Sequence, residues 1–222
     1  MTVSVIIPAL NEAGTIEQTL QAVDALRGPK EVLVIDGGSN DGTPACAAPY
    51  AEVLHAPRGR AVQMNRGADA AQGDILFFLH ADTFPPPGAL ELIRSTLQAP
   101  EVEAGTFRLG FDTSSPLLAL YSWCTRWPWI RLAFGDRGLF VRRSVFEAVG
   151  GFPAWPVFED LELAARLHER GGFRFLPQAV TTSARRFESH GQLRQQLLNL
   201  RLWLHYVTGT DPEKVAHLYE YS

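Results

Sequence analysis

The chain has 222 residues, enough for one domain with a buried core, and its 46% apolar and 20% charged residues are typical of a globular protein. This composition excludes a disordered or fibrous chain. The formal net charge of −4 argues against a nucleic-acid-binding protein, which normally carries a basic face. We therefore predict a single globular domain with small or uncharged partners and no nucleic acid.

Cys46 and Cys124 are the only cysteines, and they lack the C-x-x-C spacing of a metal or redox site. Both fall in apolar stretches, so we expect buried thiols, which suits a reducing cytoplasm. Residues 1–8 have no basic segment and no apolar run long enough for a signal peptide or a membrane span, and they predict a strand instead. We expect a cytoplasmic protein and leave contact with the inner face of the membrane open.

The first hundred residues alternate between short apolar runs and amphipathic segments. The predicted strands are 3–7, 31–35, 52–55 and 74–79, and the predicted helices are 15–26, 60–71 and 88–97. Because strands and helices alternate at short spacing, the pattern predicts an α/β domain whose mostly parallel sheet has helices on both faces.

The second half has a different rhythm. The predicted strands are 103–111, 139–142 and 173–176, and the predicted helices are 117–134, 160–170 and 192–206. No repeat or linker interrupts the chain, so we predict one domain over 1–222. Its expected parts are a first half (1–100), a second half (101–190) and C-terminal helices (191–222).

Polar residues follow each of the first four predicted strands, where ligands bind in open α/β sheets. They are Asn11-Glu12, Asp36-Gly37, Arg58-Gly59-Arg60 and His80-Ala81-Asp82. A carboxylate at Asp36 can accept hydrogen bonds from a ribose or a base, but residues 36–42 are also rich in turn formers, so a structural turn is the alternative. A carboxylate at Asp82 can bind a hard cation that holds a diphosphate, and His80 is either a second ligand or an orienting group.

The order of these motifs resembles that of family 2 glycosyltransferases with the GT-A fold, the fold of nucleotide-diphospho-sugar transferases. The resemblance rests on P-x-x-N-E at 8–12, D-G-x-S-x-D-G-T at 36–43, A-x-x-x-N-x-G at 61–67, H-A-D at 80–82, G-D-R-G-L-F-V-R-R at 135–143 and F-E-D-L-E-L at 158–163. The H-A-D form, in which His80 replaces the first acid of D-x-D, is similar to that of a bacterial subgroup.

This resemblance implies a metal-dependent, inverting glycosyltransferase that moves a sugar from a nucleoside diphosphate to an acceptor hydroxyl. It implies that 1–100 is the nucleotide-sugar-binding half and that 101–190 is the acceptor and catalytic half. It implies Mn²⁺ or Mg²⁺ as the cofactor, Asp82 as a metal ligand and Asp160 as the catalytic base. The residues that we expect around the donor are Pro8, Asn11, Glu12, Asp36, Gly37, Arg60, Asn65, Ala81, Asp136, Glu159 and Arg185. Arg185 could grip the diphosphate with two hydrogen bonds, and a solvated basic turn is the alternative.

Other interpretations remain open. Acids at Glu159-Asp160 also suit a helix N-terminus through its dipole. Segment 117–131 holds three of the five tryptophans and predicts core packing, with a membrane interface or a groove for a lipid-linked acceptor as alternatives. The leucine stripe of 192–206 predicts core packing or a homodimer surface. The rival functions are a non-catalytic nucleotide or glycan-binding protein and a nucleotidyltransferase, which would need a basic glycine-rich loop where Asn11-Glu12 stands.

Overall fold

The computed structural model describes residues 1–113, 115–127, 137–184 and 192–218. The strands are β1 (Val3–Ala9), β2 (Lys30–Asp36), β3 (Glu52–His55), β4 (Ile75–Phe78), β5 (Thr83–Phe84), β6 (Ala104–Phe111), β7 (Leu139–Arg142) and β8 (Phe173–Thr182). The helices are α1 (Ile16–Asp24), α2 (Thr43–Ala47), α3 (Arg60–Ala70), α4 (Ala89–Thr96), α5 (Pro116–Cys124), α6 (Arg143–Ala148), α7 (Glu159–Glu169), α8 (Gln192–Val207) and α9 (Pro212–Val215), followed by a 3₁₀ turn (Ala216–Leu218).

The strands form one sheet in the order β3-β2-β1-β4-β7-β6-β8-β5. Strands β1 to β4 run parallel, β7 runs antiparallel between β4 and β6, β8 runs parallel to β6, and β5 runs antiparallel to β8. The first four strands therefore end at one edge, the carboxyl edge, at Ala9, Asp36, His55 and Phe78. The predicted mostly parallel α/β sheet is confirmed.

Helices cover both faces of the sheet, as predicted. On one face the buried cluster includes Leu20 of α1 and Leu90 of α4, and on the other face it includes Met64 of α3 and Phe146 of α6. Alternate residues of the central strands point into the two clusters because side chains of a strand alternate between faces. The sheet is thus buried on both sides, which is why its strands are continuous apolar runs.

Helix α3 lies very close to the sheet at Gly67. A Cβ atom at this position would overlap the side chain of Ile6 in β1, so a larger residue would push the helix away from the strands. This close contact holds the preceding turns of α3, which carry Arg60 and Gln63, against the carboxyl edge.

Several boundaries differ from the predicted ones. Strand β8 continues past Pro177 to Thr182 because a register shift against β6 between Thr106 and Arg108 accommodates the proline as a bulge. The predicted helix 117–134 ends at Cys124, and its remainder at 128–134 lies outside the described residues. Three short helices, α2, α6 and α9, and the two-residue strand β5 were not predicted, since they are too short to show a period.

The core packing predicted for the aromatic segment, and for the leucines of α8, holds only in part. Leu118 is fully buried as core packing predicts, but Leu120, Trp123 and Trp127 are 56%, 47% and 41% exposed. On α8, likewise, Leu202 is buried, while Leu197, Leu200 and Leu204 are exposed. Cys46 is a free thiol that is only partly buried, and the side chain of Cys124 lies outside the description.

Candidate active site

Asp36 ends β2 and is almost completely buried, at 1% exposure. Its Oδ2 accepts hydrogen bonds from the backbone N–H groups of Gly38 at 3.0 Å and Ser39 at 3.2 Å, and His55 Nδ1 at the end of β3 lies 3.3 Å away. These are the contacts of the structural turn that was the alternative interpretation. A carboxylate has about four acceptor positions, so this turn leaves acceptor capacity for a ligand.

The loops after β1 and β2 are bonded to each other. The N–H of Asn11 donates to Ser39 Oγ at 2.9 Å, and Asn11 Oδ1 accepts from Asn40 N at 3.1 Å. The N–H of Glu12 donates to Thr43 Oγ1 at 2.8 Å. Asn11 has a left-handed backbone with φ 55°, a conformation that asparagine tolerates better than most residues. Two of the predicted donor-binding segments therefore form one rigid unit.

The buried amide of Gln63 joins this unit to α3, and it was missed from the sequence. Its Nε2 donates to the carbonyl of Ala9 at 2.9 Å and to that of Ile35 at 2.7 Å, the ends of two adjacent strands. A Cβ on Gly37 would lie 3.1 Å from this amide, so a small residue is needed there. The only available signal was its position inside the A-x-x-x-N-x-G segment, two residues before Asn65.

Pro8 and Ala81 are buried near the ends of β1 and β4. The carbonyl of Ile6 accepts from Leu79 N, so the backbone groups of Ile6 and, two residues on, Pro8 face β4. Pairing with β4 ends at Ile6, so the missing N–H of Pro8 costs no sheet hydrogen bond. The carbonyl of Ala81 accepts from Thr19 Oγ1 at 2.8 Å, which ties the turn after β4 to α1.

His80 and Asp82 stand on one tight turn after β4. The turn is closed by Thr83 N, which donates to the carbonyl of His80 at 3.1 Å, and the carbonyl of Asp82 accepts from Ser183 N just beyond β8 at 3.1 Å. Both side chains are half-buried. Within the described ranges, no group of three or more His, Cys, Asp or Glu side chains is arranged to hold a metal ion.

The N-terminus of α7 brings Glu159 and Asp160 to the same edge. Glu159 is 1% exposed, and its Oε1 lies 2.8 Å from Nε of Arg60, the first residue of α3. Burial raises the pKa of Glu159, the charge of Arg60 opposes this, Asp160 raises it further, and His80 lowers it. Asp160 is 8% exposed, and its Oδ1 accepts from Leu161 N at 2.8 Å. Glu159 of the second half therefore pairs with Arg60 of the first half, and the charge of His80 reaches it.

Arg137, just before β7, is a buried cation that sequence reasoning did not single out. It is 1% exposed, donates to the carbonyls of Phe107 at 3.2 Å and Thr125 at 2.6 Å, and lies 5.6 Å from the ring centre of Phe175. Burial lowers its pKa to about 10, so the guanidinium remains charged at neutral pH. It links β6, α5 and β8 beside the carboxyl edge.

One predicted donor-binding residue, Asn65, lies apart from this group. The side-chain amide of Asn65 makes two hydrogen bonds with the backbone of Phe152. Its Nδ2 donates to the carbonyl of Phe152 at 2.9 Å, and its Oδ1 accepts from the N–H of Phe152 at 3.0 Å. Asn65 also lines a cavity of about 440 Å³ with Arg143 and Glu147. These contacts are those of a structural residue, and a donor contact of Asn65 stays a prediction from the sequence. Asp136 and Arg185 lie outside the described residues.

An open α/β sheet with acids at its carboxyl edge and a mixed second half is the architecture of the GT-A class. The family model for glycosyl transferase family 2 matches residues 4–150. The chain belongs to glycosyl transferase family 2, and the predicted membership is confirmed. The assignment to an H-A-D subgroup stays a prediction.

Two curated relatives illustrate the similarity. The probable glycosyltransferase YdaM of Bacillus subtilis is 29% identical over an alignment of 209 residues that covers 81% of this chain and 50% of that protein. The glycosyltransferase AglE of Haloferax volcanii is 34% identical over an alignment of 170 residues that covers 68% of this chain and 56% of that protein. The chain thus spans about half the length of these relatives.

Solved structures share the fold. The crystal structure of S. aureus TarS has a TM-score of 0.70 at 16% identity, covering 82% of this chain and 37% of that one. The mannosyltransferase PcManGT from Pyrobaculum calidifontis, in complex with GDP-Man and Mn²⁺, has a TM-score of 0.63 at 25% identity, covering 82% of this chain and 56% of that one. None of the helices in the described part of the chain has the length and apolar character needed to cross a membrane.

Proposed function

We propose that the chain transfers a sugar from a nucleoside diphosphate to an acceptor hydroxyl, with Asp160 as the general base. The observation that carries the proposal is the ion pair of Glu159 with Arg60, which places the adjacent Asp160 at the carboxyl edge, where the charge of His80 also acts. Family membership supports the reaction class, and the GDP-Man and Mn²⁺ in the PcManGT structure support a nucleotide-sugar donor with a divalent ion. Family membership also favours a glycosyltransferase over a nucleotidyltransferase.

The donor would lie on the unit formed by the loops after β1 and β2. Asp36 has acceptor capacity for a ribose or a base, Glu12 lies in the adjoining loop, and Gly37 permits close approach to the backbone. Pro8, Asn11 and Ala81 would form the surrounding wall. The roles of Asp136 and Arg185 stay predictions from the sequence.

Asp82 and His80 would hold the divalent ion. Two side chains on one turn suit an ion such as Mn²⁺ or Mg²⁺ that takes its other ligands from the diphosphate and water, and they do not make a preformed cage. When bound, the ion neutralises charge that develops on the departing diphosphate. His80 in place of a carboxylate favours manganese over magnesium, because imidazole suits the softer ion better.

Asp160 would accept the proton of the acceptor hydroxyl while that oxygen bonds to the anomeric carbon. The bond from this carbon to the diphosphate oxygen breaks on the opposite face, so the anomeric configuration inverts through a transition state with oxocarbenium character. The electron pair leaves with the diphosphate, and the proton stays on Asp160 until it is exchanged with water.

The exposed surface on and just after α5 favours a lipid-linked acceptor. Trp123 and Trp127 on and after α5 stack edge to face at 4.5 Å, and both are exposed next to Leu120 and the exposed Arg126. Exposed tryptophans beside a cation suit the membrane interface. A relative from Aeromonas hydrophila, 32% identical over 120 residues, is named an undecaprenyl-phosphate 4-deoxy-4-formamido-L-arabinose transferase. The homodimer surface predicted on α8 stays a prediction.

The first experiment replaces the base. With manganese and a panel of UDP-glucose, UDP-N-acetylglucosamine and GDP-mannose, thermal shift identifies the donor, because a ligand stabilises the native state that binds it. Asp160→Asn should then lower sugar transfer, or transfer to water, by about 10³-fold and leave donor affinity nearly unchanged. Glu162→Gln, on the same helix, is the matched control. Unchanged turnover in Asp160→Asn would remove this residue from the mechanism, and donor binding without turnover in the wild type would favour a binding protein.

The second experiment tests the ion. Calorimetry should show that manganese strengthens binding of UDP or GDP by about tenfold or more, and that Asp82→Ala removes this gain. Affinity that is independent of manganese, and unaffected by Asp82→Ala, would rule out the proposed metal site.

A further inference from the structure

The first turn of α7, which carries Asp160, is held on one side by a buried ion pair. Arg60 Nε lies 2.8 Å from Glu159 Oε1, and the two side chains are 22% and 1% exposed. No described residue donates a hydrogen bond to either oxygen of Glu159. A buried carboxylate is costly unless it is paired, so Arg60 at the start of α3 is the group that keeps Glu159 in this position.

The same turn is held on its other side by the C-terminal helix. Phe158, the residue before α7, is buried and has a left-handed backbone with φ 69°. Such a conformation is strained for a phenylalanine and persists only where the surrounding packing enforces it. That packing comes from α8, where the ring of Tyr206 lies 5.4 Å from the ring of Phe158 and Leu202 belongs to the same buried cluster.

The two contacts act on the residues that flank the base. Phe158 sets the direction in which the chain enters α7, and Glu159 fixes the rotation of the first turn against α3. Asp160 follows directly, so neither contact can change without moving its carboxylate. The pairing of Glu159 with Arg60 therefore accounts for its place beside the base without a contact to the donor.

We propose that Glu159 is a positioning residue, which acts through its pair with Arg60 to fix the carboxylate of Asp160, while α8 secures the same turn from behind. The proposal rests on the proposed function, in which Asp160 is the base. It assigns Arg60 and Glu159 to each other and not to the donor. A base displaced by about 1 Å loses on the order of 10²-fold in rate, so a positioning residue should be visible in kcat.

The experiment compares two ion pairs, each of which includes a glutamate of α7. Arg166 and Glu162, further along the helix, have the same Nε to Oε1 distance of 2.8 Å but are 36% and 25% exposed. Glu159→Gln and Arg60→Gln should each lower kcat for release of nucleoside diphosphate by about 30- to 100-fold, with the donor KM within about threefold. Glu162→Gln and Arg166→Gln should leave both constants within about twofold.

A double substitution separates positioning from a structural or binding effect. If Glu159 acts through Asp160, adding Glu159→Gln to Asp160→Asn should lower the residual rate by less than about twofold, because the group to be positioned is gone. Full additivity, or a change in donor KM in place of kcat, would overturn the proposal. Unchanged kcat in folded Arg60→Gln would do so too, and this variant is the milder one because its side chain is partly exposed.

Turnover of a donor by the wild type distinguishes failure of the positioning role from failure of the proposed function. If it turns over none of the donors, the proposed function fails first and the positioning role falls with it. If it turns over a donor and Asp160→Asn does not, while Glu159→Gln and Arg60→Gln keep full kcat, only the positioning role is wrong. Thermal unfolding of each variant checks that a lost rate does not come from lost structure.

Discussion

Strand β2 carries a carboxylate near each end, and the two are bound in nearly the same way. At the carboxyl edge, Asp36 accepts from two backbone N–H groups of the loop that follows it. At the opposite edge, Glu31 accepts from the N–H groups of Gln72 at 2.5 Å and Gly73 at 2.8 Å and from the hydroxyl of Ser4. Hydrogen bonding alone therefore does not distinguish a ligand-binding acid from a structural one.

The difference lies in what surrounds each acid. The turn at Asp36 is hydrogen-bonded to the loop after the neighbouring strand β1, and the same carboxyl edge also carries Glu159 and His80. Glu31 instead ties the start of β4 to the start of β1 and β2, where no other candidate site residue lies among the described side chains. Position on the sheet, and not local chemistry, is what makes Asp36 the functional candidate.

The largest expected effect follows from Asp36→Ala. Losing a buried, charged acceptor should weaken binding of the UDP- or GDP-sugar by about 10- to 100-fold, since hydrogen bonds to charged groups contribute about 1.5–3 kcal/mol. Calorimetry on the folded variant measures this. Glu31→Ala is the matched control on the same strand and should keep donor affinity. Equal losses in both variants would mean that the two acids are both structural.

Glu31→Ala should instead lower the free energy of unfolding, by about 2 kcal/mol, because it removes the acceptor of the Gln72 N–H and of the Ser4 hydroxyl. Burial alone would raise the pKa of Glu31, but the bonds from Ser4, Gln72 and Gly73 and the charge of Arg143 lower it below 4.5. The stabilisation is therefore fully present above the unfolded pKa and is lost as pH falls through the folded one.

Urea unfolding of wild type and Glu31→Ala from about pH 7 to about pH 3 measures this dependence. The stability difference between the two proteins should shrink as the pH falls. A difference that stays constant or grows toward acid pH would show that the carboxylate of Glu31 is not stabilised by its charge in the folded state.

The strand-end residues of this comparison are predictable because the signals are local. Asp36 and His80 directly follow apolar runs, and the run lengths set the strand ends within about two residues. The pairing of Glu159 with Arg60 and the anchoring of β1 and β2 by Gln63 are not predictable in this way, since both depend on how α3 packs on the sheet. Pro177 misleads for the same reason, because pairing with β6 overrides its local preference to end a strand.

The smallest expected effects compare the side-chain partner of each acid. Ser4 is fully buried, donates to Glu31 and accepts from Gly73 N at 2.9 Å, so Ser4→Ala should cost about 1 kcal/mol of unfolding free energy. The side chain of His55 is 76% exposed beside Asp36, so His55→Ala should cost less than about 0.5 kcal/mol and change donor affinity by less than about threefold. Urea unfolding and calorimetry measure both. A large loss of donor affinity in His55→Ala would mean that Asp36 is oriented by its side-chain partner, whereas a small one assigns that task to the backbone N–H groups of the turn.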